Sequence, residues 1–165
     1  MPSHRPLLLI DVDGVLSLFG FEPGSPPQGK LTLIDGSPHL LSLHTASRLR
    51  ALSHLYECAW CTGWEERADE HLPFHLDLPR GWPFVPLGRR SRPGTSVAGH
   101  WKLDAIDAFA GRDRPLAWID DVLDDECREW ATARPGPTLL VETDPAVGLT
   151  DEDAALLESW AAAPV

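Results

Sequence analysis

The sequence predicts an α/β protein built around one open, mainly parallel sheet with helices on both faces. Residues 7–10 are four consecutive bulky apolar residues without alternation, a pattern typical of a strand that is covered on both faces. Strand-like apolar runs alternate with helical patterns along the rest of the chain, as parallel sheets with crossover helices require. Carboxylates directly follow two of the predicted strands, and ligands of parallel sheets bind at this edge.

The amino-terminal half contains a strand, a hairpin, a helix and a second strand. Asp35-Gly36 lies between two apolar runs, and this dipeptide is typical of the turn of a β-hairpin. Thr45 can cap a helix whose apolar residues recur every three positions. In chain order we predict a strand at 7–10, a Gly- and Pro-rich loop at 19–30, a hairpin at about 31–43 with strands at 31–34 and 40–43, a helix at about 45–55 and a strand at 56–61.

The carboxyl-terminal half continues the alternation. Prolines interrupt residues 78–93 and leave room there for only a brief strand. Gly111 ends one predicted helix, and Thr150 followed by three acidic residues begins another. In chain order we predict a short helix at 65–72, a strand at 84–87, a helix at 102–110, a strand at 116–119, a helix at about 124–134, a strand at 138–141 and a helix after Thr150.

The length of 165 residues and the net charge of −11 limit the class of protein. One domain over residues 1–165 fits this length. An acidic chain argues against broad attraction to nucleic acid or anionic membranes, although a local basic patch can oppose the global sign. The first residues lack a secretory pattern, so we expect a cytoplasmic location and no membrane partner. The three cysteines, with a single Cys58-x-x-Cys61 pair, then indicate buried, reduced thiols rather than disulfides or a metal site.

Polar residues at the ends of three predicted strands form a candidate site. If the strands are parallel, these residues converge on one edge of the sheet. Carboxylates gathered at one edge repel one another unless a cation neutralises them, and oxygen ligands favour Mg²⁺. The candidate residues are Asp11 and Asp13 after the first strand, Thr62 and Gly63 after the second, Asp120 and Asp121 after the fourth, and Lys102 at the start of the preceding helix.

Each part of this set also has a simpler interpretation. Asp11-Val12-Asp13-Gly14 alone is as typical of a turn or a calcium-binding loop as it is of a catalytic site. Thr62-Gly63 alone is a turn in most proteins, Lys102 alone a solvated helix residue, and Asp120-Asp121 alone a helix cap. Their order, with each at a predicted strand end or helix start, favours a phosphoryl-transfer site.

These residues resemble the four motifs of the haloacid dehalogenase (HAD) superfamily of Asp-nucleophile phosphohydrolases. The similarity covers about residues 7–121, and the Trp118-Ile119-Asp120-Asp121 motif in a short chain is similar to the domains associated with RNA-repair proteins. The resemblance implies a three-layer α/β/α sandwich of Rossmann type without a large cap. The first strand would be central and the strand order near 5-4-1-2-3.

The resemblance also implies a Mg²⁺-dependent phosphate monoester hydrolase. Asp11 would be the nucleophile that forms an aspartyl-phosphate, and Asp13 the general acid and base. The other implied roles are Mg²⁺ binding by Asp11, the Asp13 carbonyl, Asp120 and Asp121, phosphate binding by Thr62 and Gly63, and charge stabilisation by Lys102. A phosphotransferase would use the same residues. A catalytically silent binding or regulatory module is the alternative, and the intact Asp11 and Asp13 argue against it.

The substrate is expected to be large, because the intervals between the motifs leave no room for a folded cap. An open site admits the phosphorylated end of a nucleic acid or of a polyphosphorylated ligand, with the hairpin as a flap beside the entrance. Arg89, Arg90 and Arg92 follow the predicted third strand and form a basic cluster. We interpret this cluster either as a clamp for substrate phosphates or as a solvated loop. Among the histidines, only His100 lies near a candidate residue.

Overall fold

The structure, a computed structural model, describes residues 5–88 and 100–163. Within these ranges it contains two β-sheets and five helices. The elements are β1 (Leu7–Ile10), β2 (Ser17–Leu18), β3 (Lys30–Ile34), β4 (Ser37–Leu41), α1 (Leu43–Leu52), β5 (Glu57–Trp60), α2 (Glu66–Leu76), α3 (Leu103–Ala110), β6 (Leu116–Asp120), α4 (Asp125–Ala133), β7 (Thr138–Glu142) and α5 (Asp151–Ala162). None of the helices in the described ranges has the length and apolarity needed to cross a lipid bilayer.

The larger sheet has four parallel strands in the order β5-β1-β6-β7. All four residues of β1 are buried, because this strand has a neighbour on each side and helices above and below. The predicted parallel sheet with a central first strand is therefore confirmed. Because the strands run in one direction, their carboxyl ends lie at one edge, where the candidate residues follow β1, β5 and β6.

The predicted strand at 84–87 is wrong as a full strand. Only Phe84 pairs with the sheet, through an isolated parallel bridge to Trp60. Trp60 N–H donates to the Pro83 carbonyl at 2.8 Å, and Val85 N–H donates to the Trp60 carbonyl at 2.8 Å. Pro86 has no N–H to extend this ladder, so the pairing ends after one residue.

Alternate residues of the central strand pack into two separate cores. Leu8 and Ile10 point to a core that includes residues of α1, α2 and α5, whereas Leu7 and Leu9 point to a core with residues of α3 and α4. Burial of each of these side chains stabilises the fold by about 2 kcal/mol. The arrangement confirms the predicted three-layer α/β/α sandwich.

The predicted hairpin is present, although its turn is tighter than expected. Asp35 and Gly36 both have positive φ, +49° and +80°, as a two-residue type I′ turn requires. Ser37 and Pro38 therefore belong to β4 and not to the turn. The short strand β2 pairs with the other edge of β4, so the hairpin is part of a three-stranded antiparallel sheet.

The hairpin contacts one face of α2 at both of its ends. At the turn, the Asp35 carboxylate pairs with Arg67 and lies 3.6 Å from His71 Nε2. At the start of β3, Lys30 Nζ donates to the His75 carbonyl at 3.2 Å. Residues 67, 71 and 75 are spaced by four, so they share one side of the helix.

The helix after the hairpin begins earlier than predicted. Ser42, not Thr45, is the N-cap residue, and its Oγ accepts a hydrogen bond from Thr45 N–H at 3.0 Å. The Thr45 hydroxyl instead accepts from Leu149 N–H at 3.1 Å in the protein interior. The predicted start of the last helix is correct, because Thr150 and Asp153 form a reciprocal capping box.

Replacement of Tyr56 by Phe is expected to lower the free energy of unfolding by about 1–2 kcal/mol. Burial raises the pKa of Tyr56, so its hydroxyl stays protonated, and it donates to the Leu157 carbonyl at 2.7 Å. This bond connects the start of the larger sheet to α5. Urea denaturation of both proteins measures the difference, and equal unfolding free energies would contradict the assigned role of the hydroxyl.

Candidate active site

The carboxyl edge of the larger sheet brings together three carboxylates and one ammonium. Asp11 follows β1, Asp120 ends β6, and Asp121 begins the next loop. Carboxylate oxygens of these three residues lie within 4.8 Å of one another. Lys102 Nζ lies 2.6 Å from Asp120 Oδ2 and 3.2 Å from Asp11 Oδ1. The structure therefore places four of the sequence-predicted residues in one group.

Lys102 is held rigidly in the interior, with only 4% of its surface exposed. Its ammonium donates hydrogen bonds to Asp120 Oδ2 and to the Cys61 carbonyl, the latter at 2.9 Å, and forms an ion pair with Asp11. Burial alone would lower the pKa of Lys102, but the Asp11 and Asp120 carboxylates outweigh it and raise that pKa. The side chain is consequently a permanent positive charge beside Asp11.

The carboxylates nevertheless exceed the positive charge available to them. Burial raises the pKa of Asp11 well above its usual value, even though Lys102 opposes the shift. Partial burial, followed by the charge of Asp120, raises the pKa of Asp121. Burial is the first cause of both shifts, and the neighbouring carboxylates add to it, so the ionised forms of both residues are disfavoured. A divalent cation would relieve this excess, and a group of carboxylate oxygens is the type of ligand set that Mg²⁺ prefers.

Gly14 leaves the space that this group occupies. Its φ is +81°, a backbone conformation that favours glycine. A Cβ atom at this position would lie 2.5 Å from the Asp121 carboxyl carbon. The Gly14 carbonyl accepts a hydrogen bond from Thr143 Oγ1 at 2.7 Å, which fixes the loop relative to β7. Any larger residue at position 14 would displace Asp121.

The Asp13 carboxylate lies outside this group. Its side chain is exposed, and its Oδ2 accepts a hydrogen bond from Trp64 Nε1 at 3.0 Å. It faces a cleft whose other walls come from the hairpin, α2 and the loop after β5. The residues that line the cleft are Asp13, Ile34, Asp35, Ser37, His39, Trp64 and Arg67. Asp11 and Asp13, two positions apart, therefore have very different surroundings.

The loop after β5 provides the predicted Thr62 and Gly63. Thr62 Oγ1 accepts from Trp64 N–H at 3.2 Å, which leaves the hydroxyl proton for another acceptor. Glu65 N–H closes the loop by donating to the Thr62 carbonyl at 3.1 Å. Glu65 has a φ of +48°, an uncommon value for a residue other than glycine, and strained conformations of this kind concentrate at functional sites.

Sequence reasoning did not identify Trp64 as part of the site. Its position directly after Thr62-Gly63 is the only signal in the sequence that could have indicated this role.

His100, in contrast, has a structural role. It bridges Lys102 N–H, at 3.3 Å, and the Val122 carbonyl, at 2.9 Å, while burial lowers its pKa and favours the neutral ring.

The predicted basic cluster lies outside the described residues. Arg89, Arg90 and Arg92 all fall within the range 89–99, so the structure has no bearing on their relation to the cleft.

Comparison with known proteins identifies the family. A scan against protein-family models matches residues 7–154 to the family described as the HAD domain in Swiss Army Knife RNA repair proteins. This match covers most of the chain and includes every candidate residue from Asp11 to Asp121. A search of curated proteins found no match. The chain therefore belongs to the HAD superfamily, within the family of HAD domains of Swiss Army Knife RNA repair proteins.

Proposed function

We propose that this protein is a Mg²⁺-dependent phosphatase that acts on phosphate monoesters through an aspartyl-phosphate. Membership of the HAD family supports an enzyme of phosphohydrolase or phosphotransferase type. The observation that carries the finer proposal is the contrast between Asp11 and Asp13. One carboxylate is buried beside a fixed ammonium and two other acids, and the other is exposed in the adjoining cleft. This contrast suits a nucleophile and a proton carrier.

The first step transfers the phosphoryl group to the protein. An Asp11 oxygen forms a bond to phosphorus while the bond from phosphorus to the leaving oxygen breaks. Asp13 supplies the proton that the leaving oxygen takes up. In the second step water forms a bond to phosphorus, the bond to Asp11 breaks, and Asp13 receives the proton from that water. Two displacements of moderate barrier replace one that is difficult.

Three further residues bind the transferring group in this proposal. The Thr62 hydroxyl proton and the Gly63 N–H would donate to phosphoryl oxygens, and Lys102 would supply positive charge close to Asp11. Donors held in place before the reaction stabilise developing charge without reorganisation. The three partners of the Lys102 ammonium support this role, because they prevent it from moving during turnover.

Magnesium would be held by Asp11, Asp120, Asp121 and the Asp13 carbonyl. The proximity of the three carboxylates and the raised pKa values of Asp11 and Asp121 support this assignment. When bound, the ion would orient the phosphate and reduce the repulsion between two anions. It would also keep Asp11 ionised, as a nucleophile must be.

The proposed substrate is a phosphate-ended nucleic acid, and a polyphosphorylated ligand has the same anionic chemistry. The family description, which names RNA repair proteins, supports the first. The cleft beside Asp13 is open to solvent along the hairpin, so it can receive the end of a long molecule. The net charge of −11 requires a local source of positive charge for such a ligand, and we propose Arg89, Arg90 and Arg92 for this role.

Replacement of Asp11 by Asn is expected to abolish Mg²⁺-dependent release of phosphate from an aryl phosphate, with a loss of at least about 10³-fold in kcat. The amide is too weak a nucleophile to attack phosphorus. Asp13→Asn should lower kcat by about 10²-fold or more, because the proton carrier is lost. Asp125→Asn, which changes an exposed carboxylate of α4, is the control and should keep normal activity. Normal turnover by Asp11→Asn would exclude the proposed nucleophile.

Millimolar Mg²⁺ is expected to raise the melting temperature of the protein, and more at about pH 8 than at about pH 5. Asp11 and Asp121 have folded-state pKa values above their unfolded ones. Their bound protons therefore stabilise the metal-free fold at low pH, and this contribution is lost as the pH rises through the folded pKa values. At low pH the same protons compete with Mg²⁺ for the carboxylates.

Differential scanning fluorimetry with Mg²⁺ titrations at both pH values measures this effect. Asp121→Asn should reduce the response and leave both ion pairs of Lys102 intact, whereas Asp125→Asn should respond as the wild type does. A melting temperature that does not change with Mg²⁺ at either pH would contradict the metal site.

Replacement of Arg89, Arg90 and Arg92 by Ser is expected to raise KM for a phosphate-ended oligonucleotide by about 10-fold or more, and to change KM for an aryl phosphate little. The long substrate would lose contacts to its additional phosphates, and the small one has none. Arg80→Ser/Arg112→Ser/Arg128→Ser, which removes three exposed arginines elsewhere on the chain, controls for the change in net charge. Equal effects of the triple replacement on both substrates would exclude the clamp.

A further inference from the structure

We propose that Trp64 is a positioning residue, which holds the Asp13 carboxyl so that its free oxygen faces the leaving group. This inference rests on the proposed function, because it assigns a partner to the proposed general acid. It starts from the hydrogen bond between Trp64 Nε1 and Asp13 Oδ2, 3.0 Å long. None of the sequence motifs described above predicts a role for Trp64.

The chemistry of the indole determines which Asp13 oxygen can carry a proton. The indole N–H is a donor and never an acceptor, so Oδ2 must accept in both protonation states of the carboxyl. A proton on Asp13 is therefore favoured on Oδ1, because an unprotonated carboxyl oxygen is the better hydrogen-bond acceptor. The bond thus favours one of two otherwise equivalent oxygens as the one that carries the acidic proton, on a side chain that lines the cleft.

The Asp13 side chain has no other polar partner in the ranges 5–88 and 100–163. It is exposed and makes no ion pair or second hydrogen bond there. An exposed carboxyl without a fixed partner samples several rotamers, and a misplaced proton donor loses much of its catalytic contribution. The indole N–H is consequently what limits the rotation of Asp13.

Trp64 is itself held on several sides. Only 9% of its surface is exposed, and its backbone N–H donates a hydrogen bond to Thr62 Oγ1. The His39 ring meets it edge-on with centroids 5.0 Å apart, and the Arg67 guanidinium carbon lies 5.5 Å from its centroid. Arg67 in turn pairs with Asp35 at the hairpin turn. The hairpin and the loop after β5 therefore fix the indole together.

The same short loop serves both halves of the proposed reaction. Thr62 and Gly63 face the phosphate, and Trp64, the next residue, orients the acid that protonates the leaving oxygen. A buried tryptophan also needs a partner for its N–H on grounds of stability alone. A purely structural role would affect all substrates alike, whereas a positioning role depends on how much the leaving group needs a proton.

The test compares kcat/KM of the wild type and Trp64→Phe for two esters. The value of kcat/KM depends only on the steps up to and including the first phosphoryl transfer, in which Asp13 would act as an acid. An alkyl phosphate such as glycerol phosphate needs a proton on its leaving oxygen, and nitrophenyl phosphate, whose leaving phenol is acidic, does not. Trp64→Phe should lower kcat/KM for the alkyl ester by about 10-fold or more and for the nitrophenyl ester by about 2-fold at most.

Trp130→Phe is a matched control elsewhere in the protein. Trp130 Nε1 donates to Asp107 Oδ2 at 3.0 Å, which reproduces the indole-to-carboxylate bond away from the cleft. Trp130→Phe should leave the ratio of the kcat/KM values for the two esters unchanged. Equal losses for both esters in Trp64→Phe, or none, would overturn the positioning role. A wild type that hydrolyses neither ester would instead refute the proposed function.

If Trp64→Phe does not fold, the indole N–H resonances in an NMR spectrum test the hydrogen bond between Trp64 and Asp13 directly. Asp13→Ala changes an exposed side chain, so this variant is expected to fold. It should shift one indole signal of the otherwise native spectrum, and Asp107→Ala should shift a different one, that of Trp130. An indole region that Asp13→Ala leaves unchanged would overturn the hydrogen bond and the inference built on it.

Discussion

A single buried ammonium makes the carboxyl edge of the larger sheet possible. Pairing β1 with β6 in parallel places Asp11 and Asp120 side by side, and two unpaired buried carboxylates would cost several kcal/mol. Lys102 lies between them and contacts both. Its location depends in turn on the start of α3, where His100 ties the Lys102 backbone to the loop after β6. The position of α3 is therefore set by electrostatics as much as by apolar packing.

One lysine does not balance every acid at this edge, and the remaining negative charge gives the site its chemical character. Burial, together with this excess, raises the pKa values of Asp11 and Asp121. Either bound protons or a divalent cation can neutralise this negative charge, and the two compete for the same carboxylate oxygens. The fold thus tolerates a local arrangement that is unfavourable by itself, because the apolar residues of two cores stabilise the strands that carry it.

The sequence predicted those parts of the fold that depend on local patterns. An uninterrupted apolar run marked β1, and the Asp35-Gly36 turn marked the hairpin. The strand at 84–87 failed because prolines remove its donors, an effect that overrides apolar composition. Ser42 and Thr45 are both suitable caps, and the hydrogen bond that the Thr45 hydroxyl accepts from Leu149 N–H, distant in sequence, distinguishes them. The bond from Trp64 to Asp13 joins residues 51 positions apart, so no local pattern could indicate it.

The two central aspartates are attached to different parts of the molecule. Asp11 N–H is bonded to the Ile119 carbonyl of the larger sheet, whereas Asp13 forms a bridge with Ser17, the first residue of the small sheet. Val12 is the residue between the two attachments. Changes in hairpin length or sequence would therefore act on Asp13, the proposed proton carrier, and leave Asp11, the proposed nucleophile, in place. In the proposed reaction, changes to the hairpin could thus alter substrate preference without moving the residue that would attack phosphorus.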